Sequence, residues 1–398
     1  MFALEGIKIL DLSGGYPTSY GTNIMADFGA EVINVDGRPI SHRPSSDGDV
    51  AAREAAYSTI NRNKKSIVLN LKSEEGREIF YRLVKESDVI LDPFRPGVTK
   101  RLGIDYETVS KINPGIIYCS ATGYGQDGPY STFSGHGNCY EGLAGFLNLV
   151  GEPGRKPVLA LNLVADIAGG ALYSVIGICI AIIARQKTGK GQHIDVSYMD
   201  SVISMMTAVM SRYFLTSILP ERGYFPLPGF PGVGTYETKD GKLITLAGLE
   251  LRLWQNLCKA MNREDFLPYN AVRKRENDPA DEEKYKEMSD FFKNFFLTKT
   301  RDEWFEEWSP LDVPIGKVYE LNEVENDPHV LAREMVMELE HPTQGKIKHV
   351  GYAFKMSDTP GSVRNFAPLD GENTNDILKD LGYDQEAIET LRQKGAIS

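Results

Sequence analysis

Cysteine is scarce and scattered. Cys119, Cys139, Cys179 and Cys258 are the four in 398 residues, and no two form a CxxC pair. That spacing excludes a disulfide framework and a cysteine-rich zinc site, and no metal is implied. Buried free thiols are the expectation, in keeping with a reducing cytosol. Positive charge is also short: 44 Lys and Arg stand against 55 Asp and Glu, a formal net charge of −11. A surface of that sign repels polyanions, which excludes general nucleic-acid binding but not a small polyanion held by a local basic cluster. The start, MFALEGIKILDLSGG, lacks the basic leader and cleavage site of a signal peptide. A cytoplasmic protein without membrane anchorage is therefore expected. One long charge-free run is present, the 18 residues Ile167–Ala184, which touches the length of a membrane span. Gly169, Gly170 and Gly177, and its position directly after Asp166, predict instead a buried core helix. The chain has no internal repeat and no low-complexity tract.

What is there is an alternation of short apolar runs and helical spacings. Strands are predicted at Ile7–Leu12, Glu31–Val35, Ser66–Leu71, Val89–Leu91, Gly115–Ser120 and His193–Val196, with helices between them. Ser73 is placed as a helix N-cap. This βαβα rhythm predicts an α/β domain with a mostly parallel sheet flanked by helices. The character changes at PERGYFPLPGFPGVG, residues 220–234, which reads as a hinge. Two strand-like runs follow around Asp240-Gly241, a hairpin signal, and then charged amphipathic helices. The expected organisation is a large α/β domain over 1–221, a smaller α+β domain over 222–330, and a return of 331–398 to the first.

Several motifs carry chemistry. Gly123-Tyr124-Gly125-Gln-Asp-Gly128 matches G-x-G-x-x-G after a strand, but Pro129-Tyr130 follows rather than a helix. A nicotinamide site is disfavoured, and a glycine loop that brings backbone near a ligand is preferred. Basic clusters occur at Arg38, at Arg62, Lys64 and Lys65, and at Arg95, Lys100 and Arg101. All three are assigned to the carboxyl ends of strands, where open α/β sheets bind ligands, and they point to a polyanionic cofactor. SGHGNCYEGLAG holds His136 and Tyr140; LNLVADIAGG holds Asn162 and Asp166. His136 alone reads as a structural histidine. Asp166 opens a very apolar stretch, where an unpaired carboxylate is costly. It is either an N-terminal helix cap or a carboxylate held dry for chemistry.

Over nearly its full length the chain resembles the family III CoA-transferases and their close relatives, the 2-methylacyl-CoA racemases. The segments that carry the likeness include NRNKKSIVLNLKSEEG, DVILDPFRPGVTKRLGID, YCSATGYGQDGPY, LVADIAGGALYSVIGI and RQKTGKGQHIDVSYMD. The resemblance implies a Rossmann-like large domain, a smaller second domain and an interlocked homodimer, with pairing to a similar subunit as the alternative. It implies no permanently bound cofactor, with coenzyme A entering as part of an acyl-CoA substrate. The adenosine diphosphate end would lie near Arg38, Arg62–Lys65 and Arg95–Arg101. It also implies one of two chemistries. In the transferases an aspartate matching Asp166 attacks the thioester, forms an acyl-aspartyl anhydride and passes CoA to a second carboxylic acid. In the racemases two acid–base groups exchange the α-proton on opposite faces. The racemase Gly-His-Asp-x-Asn-Tyr motif is matched at His136 and Tyr140 but not at Gly137 and Cys139. Leu-Asn-Leu-x-x-Asp is matched by Leu161–Asp166, and the small-domain glutamate by Glu250. The implied pairs are His136 with Glu250 and Asp166 with Asn162. A racemase Leu-Asp-Gly-Gly-Ala-Pro segment is replaced here by PLPGFPGVG. On these residues racemisation of an acyl-CoA is the first expectation and CoA transfer the alternative.

Overall fold

In the computed structural model the described residues are 1–13, 15–37, 57–223, 230–271 and 279–398. The chain divides into two compact units. The first comprises Met1–Asn148, Leu159–Ser217 and Met337–Ser398; the second comprises Leu149–Val158 and Ile218–Val336.

The first unit is built on six strands, β1 (Lys8–Asp11), β2 (Glu31–Asp36), β3 (Lys64–Val68), β4 (Val89–Asp92), β5 (Ile117–Thr122) and β6 (His193–Ser197). Their order is β3-β2-β1-β4-β5-β6 and every pairing is parallel. Near-continuous burial of the apolar runs, with β4 and β5 buried throughout, is what a parallel sheet covered on both faces requires. All six predicted strands are present. The predicted Ser66–Leu71 ends early because Leu69 leaves the sheet to bridge Ile397, and Asn70 donates its N–H to Ala396 O at 2.8 Å. The C-terminal helices Thr374–Asp380 and Gln385–Gln393 thus join this core through Ile377, Leu378, Ile388 and Leu391. Ser73 caps the helix Glu74–Lys85, accepting from Gly76 N–H at 3.1 Å. In a doubly wound sheet the strand order reverses at one point, here between β1 and β4, and ligands bind outside the carboxyl ends there.

The apolar run after Asn162 is one 26-residue helix, Leu163–Thr188. Its first ten residues, Leu163–Leu172, are a π-helix, marked by the Ile167 N–H reaching back five residues to Asn162 O at 3.3 Å. The helix is long and apolar enough to cross a membrane. The expectation of a fully buried core helix is corrected on one face. Ser174, Ile178, Ala181 and Ile182 are buried, but Ile176, Ile180 and Ile183 are 51%, 61% and 54% exposed. Those three recur at helical spacing and make an apolar stripe. The glycine pair serves packing: a Cβ on Gly170 would lie 2.7 Å from the Tyr198 ring, and one on Gly169 3.2 Å from Tyr198 O.

The second unit carries an antiparallel sheet of β7 (Val233–Glu237), β8 (Leu243–Ala247) and β9 (Ile315–Val318). Asp240-Gly241 turns β7 into β8, with Gly241 at φ +72°. The helices Leu251–Ala260, Pro279–Phe296 and Arg301–Trp308 cover it around Trp254, Trp304, Trp308 and Phe292. A separate two-stranded sheet, β10 (Val336–His341) with β11 (Gly345–Val350), is an element the sequence reading did not predict.

Candidate active site

The site grows from the end of β5. The chain leaves the sheet through Gly123–Gly128, with Gly125 and Gly128 both at φ +83°. A Cβ on Gly123 would sit 2.2 Å from the Tyr140 ring, so this glycine makes room for a side chain rather than for a phosphate. Asp195 on β6 fixes the loop by accepting the Gln126 N–H at 2.9 Å. The Tyr140 hydroxyl donates to Gly135 O at 2.6 Å, and its ring stands edge-on to Tyr124 and Tyr198 at 4.9 and 5.8 Å. Burial first, then the neighbouring Tyr124 and Asp166, push the Tyr140 hydroxyl up to about 12, so it stays protonated as a donor.

His136 is the N-cap residue of the helix Gly137–Leu143. Asp166, the fourth residue of the π-helix, brings its carboxylate against the first residue of that helix. A Cβ on Gly137 would lie 3.1 Å from Asp166 Oδ2 and 3.3 Å from Oδ1. The structure therefore places His136, Tyr140 and Asp166 together. The N-terminal cap reading of Asp166 is corrected, since Asn162 holds the N-cap position. Burial raises the Asp166 carboxyl above the ordinary range, and the nearby His136 opposes the rise. A carboxylate so placed is more basic than one in water. The implied Asn162–Asp166 side-chain pair is not formed: Asn162 is exposed, and its carbonyl, not its amide, bonds the helix.

One residue escaped the sequence reading. Glu141 is wholly buried, its Oε1 accepts the Ala165 N–H at 3.2 Å, and its Oε2 has no hydrogen-bond partner among the described residues. Burial raises its pKa, the Ala165 N–H opposes the rise, and the charge of Asp166 adds to it. Glu141 anchors the residue just before Asp166 and so aims the carboxylate. The signal was available, since Glu141 is the sole charged residue between Asp127 and Glu152.

The basic residues divide. Arg95, Lys100 and Arg101 are exposed on the turn and short helix that follow β4, beside the β1–β4 reversal, and the charge of Arg95 reaches Tyr140. Arg62 and Lys64 do not behave as predicted. They precede or open β3, at the amino edge of the sheet, and both are buried. Arg62 Nη2 donates to Asp27 Oδ2 at 2.8 Å, and Lys64 Nζ to Asp11 Oδ2 at 3.1 Å. Neither head group is available to a phosphate. Lys65 is exposed at the same edge, paired with Glu31 at 2.7 Å. Arg38 and residues 226–229 of the PLPGFPGVG segment lie outside the described residues. Glu250 belongs to the second unit, as the exposed N-cap residue of Leu251–Ala260.

The basic turn is pinned by Asp92 at the end of β4. Its Oδ1 accepts the Phe94 N–H at 2.8 Å, and its Oδ2 accepts from the Tyr118 and Ser120 hydroxyls at 3.1 and 3.5 Å. Burial nonetheless raises this carboxyl from 3.8 to about 6. A carboxyl that holds its proton more tightly when folded adds stability below its unfolded pKa, and loses it as pH rises through the folded one. Asp92→Asn cannot ionise, so it should gain on the wild type by ~3 kcal/mol as pH rises from about 4 to about 7. Urea unfolding of both proteins across that window checks this; parallel stability curves would exclude it.

The doubly wound α/β fold thus holds a half-buried aspartate beside a histidine, with a basic turn at the strand reversal. Residues 4–374 match the family model for CoA-transferase family III, and the chain belongs to that family. It is 32% identical to a human alpha-methylacyl-CoA racemase, over 98% of this chain and 96% of the relative. It is 31% identical to an acyl-CoA transferase of Fusarium pseudograminearum, over 99% and 88%. Among solved structures it is similar to a CAIB/BAIF family protein from Brucella suis, with a TM-score of 0.78 and 28% identity over 96% of this chain and 99% of that one.

Proposed function

We propose that this enzyme racemises or epimerises an acyl-CoA at its α-carbon, with Asp166 and His136 as the two acid–base groups. The observation that carries the reading is the meeting of these two residues, one made more basic by burial, across the first residue of the helix Gly137–Leu143. A thioester acidifies its α-proton, and a positioned base with a raised pKa is matched to removing it, worth about 10²–10⁴-fold. The other group returns a proton to the opposite face. The N–H groups of Gly137 and Asn138, which open their helix and so lack intrahelical acceptors, are suited to the enolate oxygen. Arg95, Lys100 and Arg101 would take the phosphates.

A second reading is favoured by Gly137. With no side chain there, the Asp166 carboxylate is open enough to attack the thioester carbonyl. The Asp166 oxygen then bonds to the acyl carbon and CoA leaves as thiolate. The thiolate attacks the aspartyl carbonyl, so the donor acid leaves as its carboxylate and an Asp166–CoA thioester remains. An acceptor carboxylate displaces the thiolate from it, and the thiolate attacks the acceptor's acyl carbon, releasing the new thioester and the Asp166 carboxylate. Incubation with a chiral 2-methylacyl-CoA in D₂O, without added acid, separates the two. Deuterium uptake with loss of configuration supports racemisation. Retained configuration, together with CoA transfer to added carboxylic acids, overturns it in favour of transfer.

We infer also that a second copy of the chain covers the stripe of Ile176, Ile180 and Ile183. Adding one lysine per copy at a packed interface is disruptive. Sedimentation velocity should give a dimer of 44.3 kDa chains, and Ile180→Lys should shift it to monomer. A wild-type monomer at micromolar concentration would refute the pairing.

A further inference from the structure

Five aromatic rings lead outward from the carboxylate site within the first unit. Tyr198 and Tyr140 are 6% and 8% exposed, while Tyr130 and Phe133 are 39% and 55% exposed. Each ring meets the next: Tyr198–Tyr140 at 5.8 Å, Tyr140–Tyr124 at 4.9 Å, Tyr124–Tyr130 at 6.0 Å and Tyr130–Phe133 at 5.2 Å. The outer pair sits on a braced turn. Phe133 N–H donates to Tyr130 O at 2.8 Å, and Ser131 Oγ to Gly128 O at 3.0 Å. Large rings held on a rigid turn offer contact area at low entropic cost, a property of recognition surfaces rather than of loops that merely connect.

Charge is segregated around Asp166. The cationic turn of Arg95, Lys100 and Arg101 follows β4, whereas Tyr124, Tyr130, Phe133 and Tyr140 follow β5 and Tyr198 follows β6. From Gly128 to Tyr140 the chain carries no Asp, Glu, Lys or Arg. A thioester centred on Asp166 therefore has a basic turn for its phosphates and, at Tyr130 and Phe133, an aromatic side. A second carboxylate on the acyl group would lose hydration against the Tyr130 and Phe133 rings.

We propose that Tyr130 and Phe133 form a shelf for the acyl group, and that the substrates are CoA thioesters of ring-bearing or branched hydrocarbon acids rather than of dicarboxylic acids. This rests on the reading of Asp166 as the centre of thioester chemistry. The inner rings tie the shelf to the site, since Tyr140, on the helix that His136 caps, packs edge-on against Tyr124.

The test is calorimetric binding of unreactive thioethers: S-(3-phenylpropyl)-CoA, S-propyl-CoA, S-(3-carboxypropyl)-CoA and free CoA. Burial of the phenyl ring predicts about 30-fold tighter binding than S-propyl-CoA. The double variant Tyr130→Ala/Phe133→Ala should reduce that preference to about threefold, with the affinity for free CoA retained. Phe133→Lys should reverse the order of the phenyl and carboxyl ligands. Equal wild-type affinity for all three thioethers overturns the shelf. So does a double variant that weakens free CoA as much as the phenyl ligand, which would put adenine on the rings. So does a variant that changes only the sedimentation coefficient, which would put a second copy there. Failure of the wild type to bind free CoA would instead overturn the reading of the site itself.

Discussion

Asp166→Asn is expected to lower turnover by about 10³-fold or more, under either chemistry, while acyl-CoA still binds. The amide can neither take a proton nor attack a carbonyl, and it nearly preserves the volume beside Gly137. His136→Ala then divides the two readings. If Asp166 and His136 work on opposite faces of one carbon, the alanine variant falls by about 10²–10⁴-fold in racemisation. If Asp166 is a nucleophile, it retains CoA transfer to within a few-fold, and hydroxylamine traps the acyl group on Asp166. Burial also sets a sign for pH. The ionised form of Asp166 acts in both schemes, and its pKa is raised. Activity should therefore be lost as pH falls, with the acid limb of kcat/KM above the ordinary carboxylate range. A limb at the ordinary value would refute the buried environment.

Much of this fold is legible in the sequence, because parallel strands buried on both faces leave continuous apolar runs such as VILD and IYCSAT. Asp166 was legible for a related reason, as a carboxylate in a stretch where charge is otherwise missing. Its meeting with His136 was not. Thirty residues separate them, and no spacing rule joins a loop to a helix; the resemblance to a family gave them one reaction but paired them with Glu250 and Asn162 rather than with each other. The π-helix was hidden because ten nearly all-apolar residues look alike at either helical period. The β10–β11 sheet was passed over although VMELEH alternates. Glu141 was passed over because a glutamate in a short helix reads by default as solvent-facing. Arg62 and Lys64 were misassigned for the opposite reason. Their partners are 35 and 53 residues upstream, so a cluster that looks unpaired along the chain is fully paired in space.

That pairing predicts large stability effects. Asp27 holds Arg62 through three N–H donations of 2.8, 3.0 and 3.2 Å and takes a fourth bond from Asn63 Nδ2 at 2.7 Å. Both side chains are about 95% buried. Burial raises the Asp27 carboxyl, with Arg62 and Asn63 opposing the rise, so the ion pair is held against a desolvation cost. Asp27→Ala would strand the guanidinium and Arg62→Met the carboxylate. Each is expected to cost ~3–5 kcal/mol in chemical unfolding. The double variant should cost less than the sum, because no unpaired charge remains. In its folded fraction Arg62→Met should leave the KM for acyl-CoA unchanged. Arg95→Met should do the reverse, with stability within ~0.5 kcal/mol of wild type and a KM raised about tenfold as a charge-assisted phosphate contact is lost. The wild-type KM should also rise with ionic strength more steeply than that of Arg95→Met. An Arg62→Met enzyme with full stability and weakened CoA binding would reverse the assignment, and would require Arg62 to leave Asp27 when the coenzyme arrives.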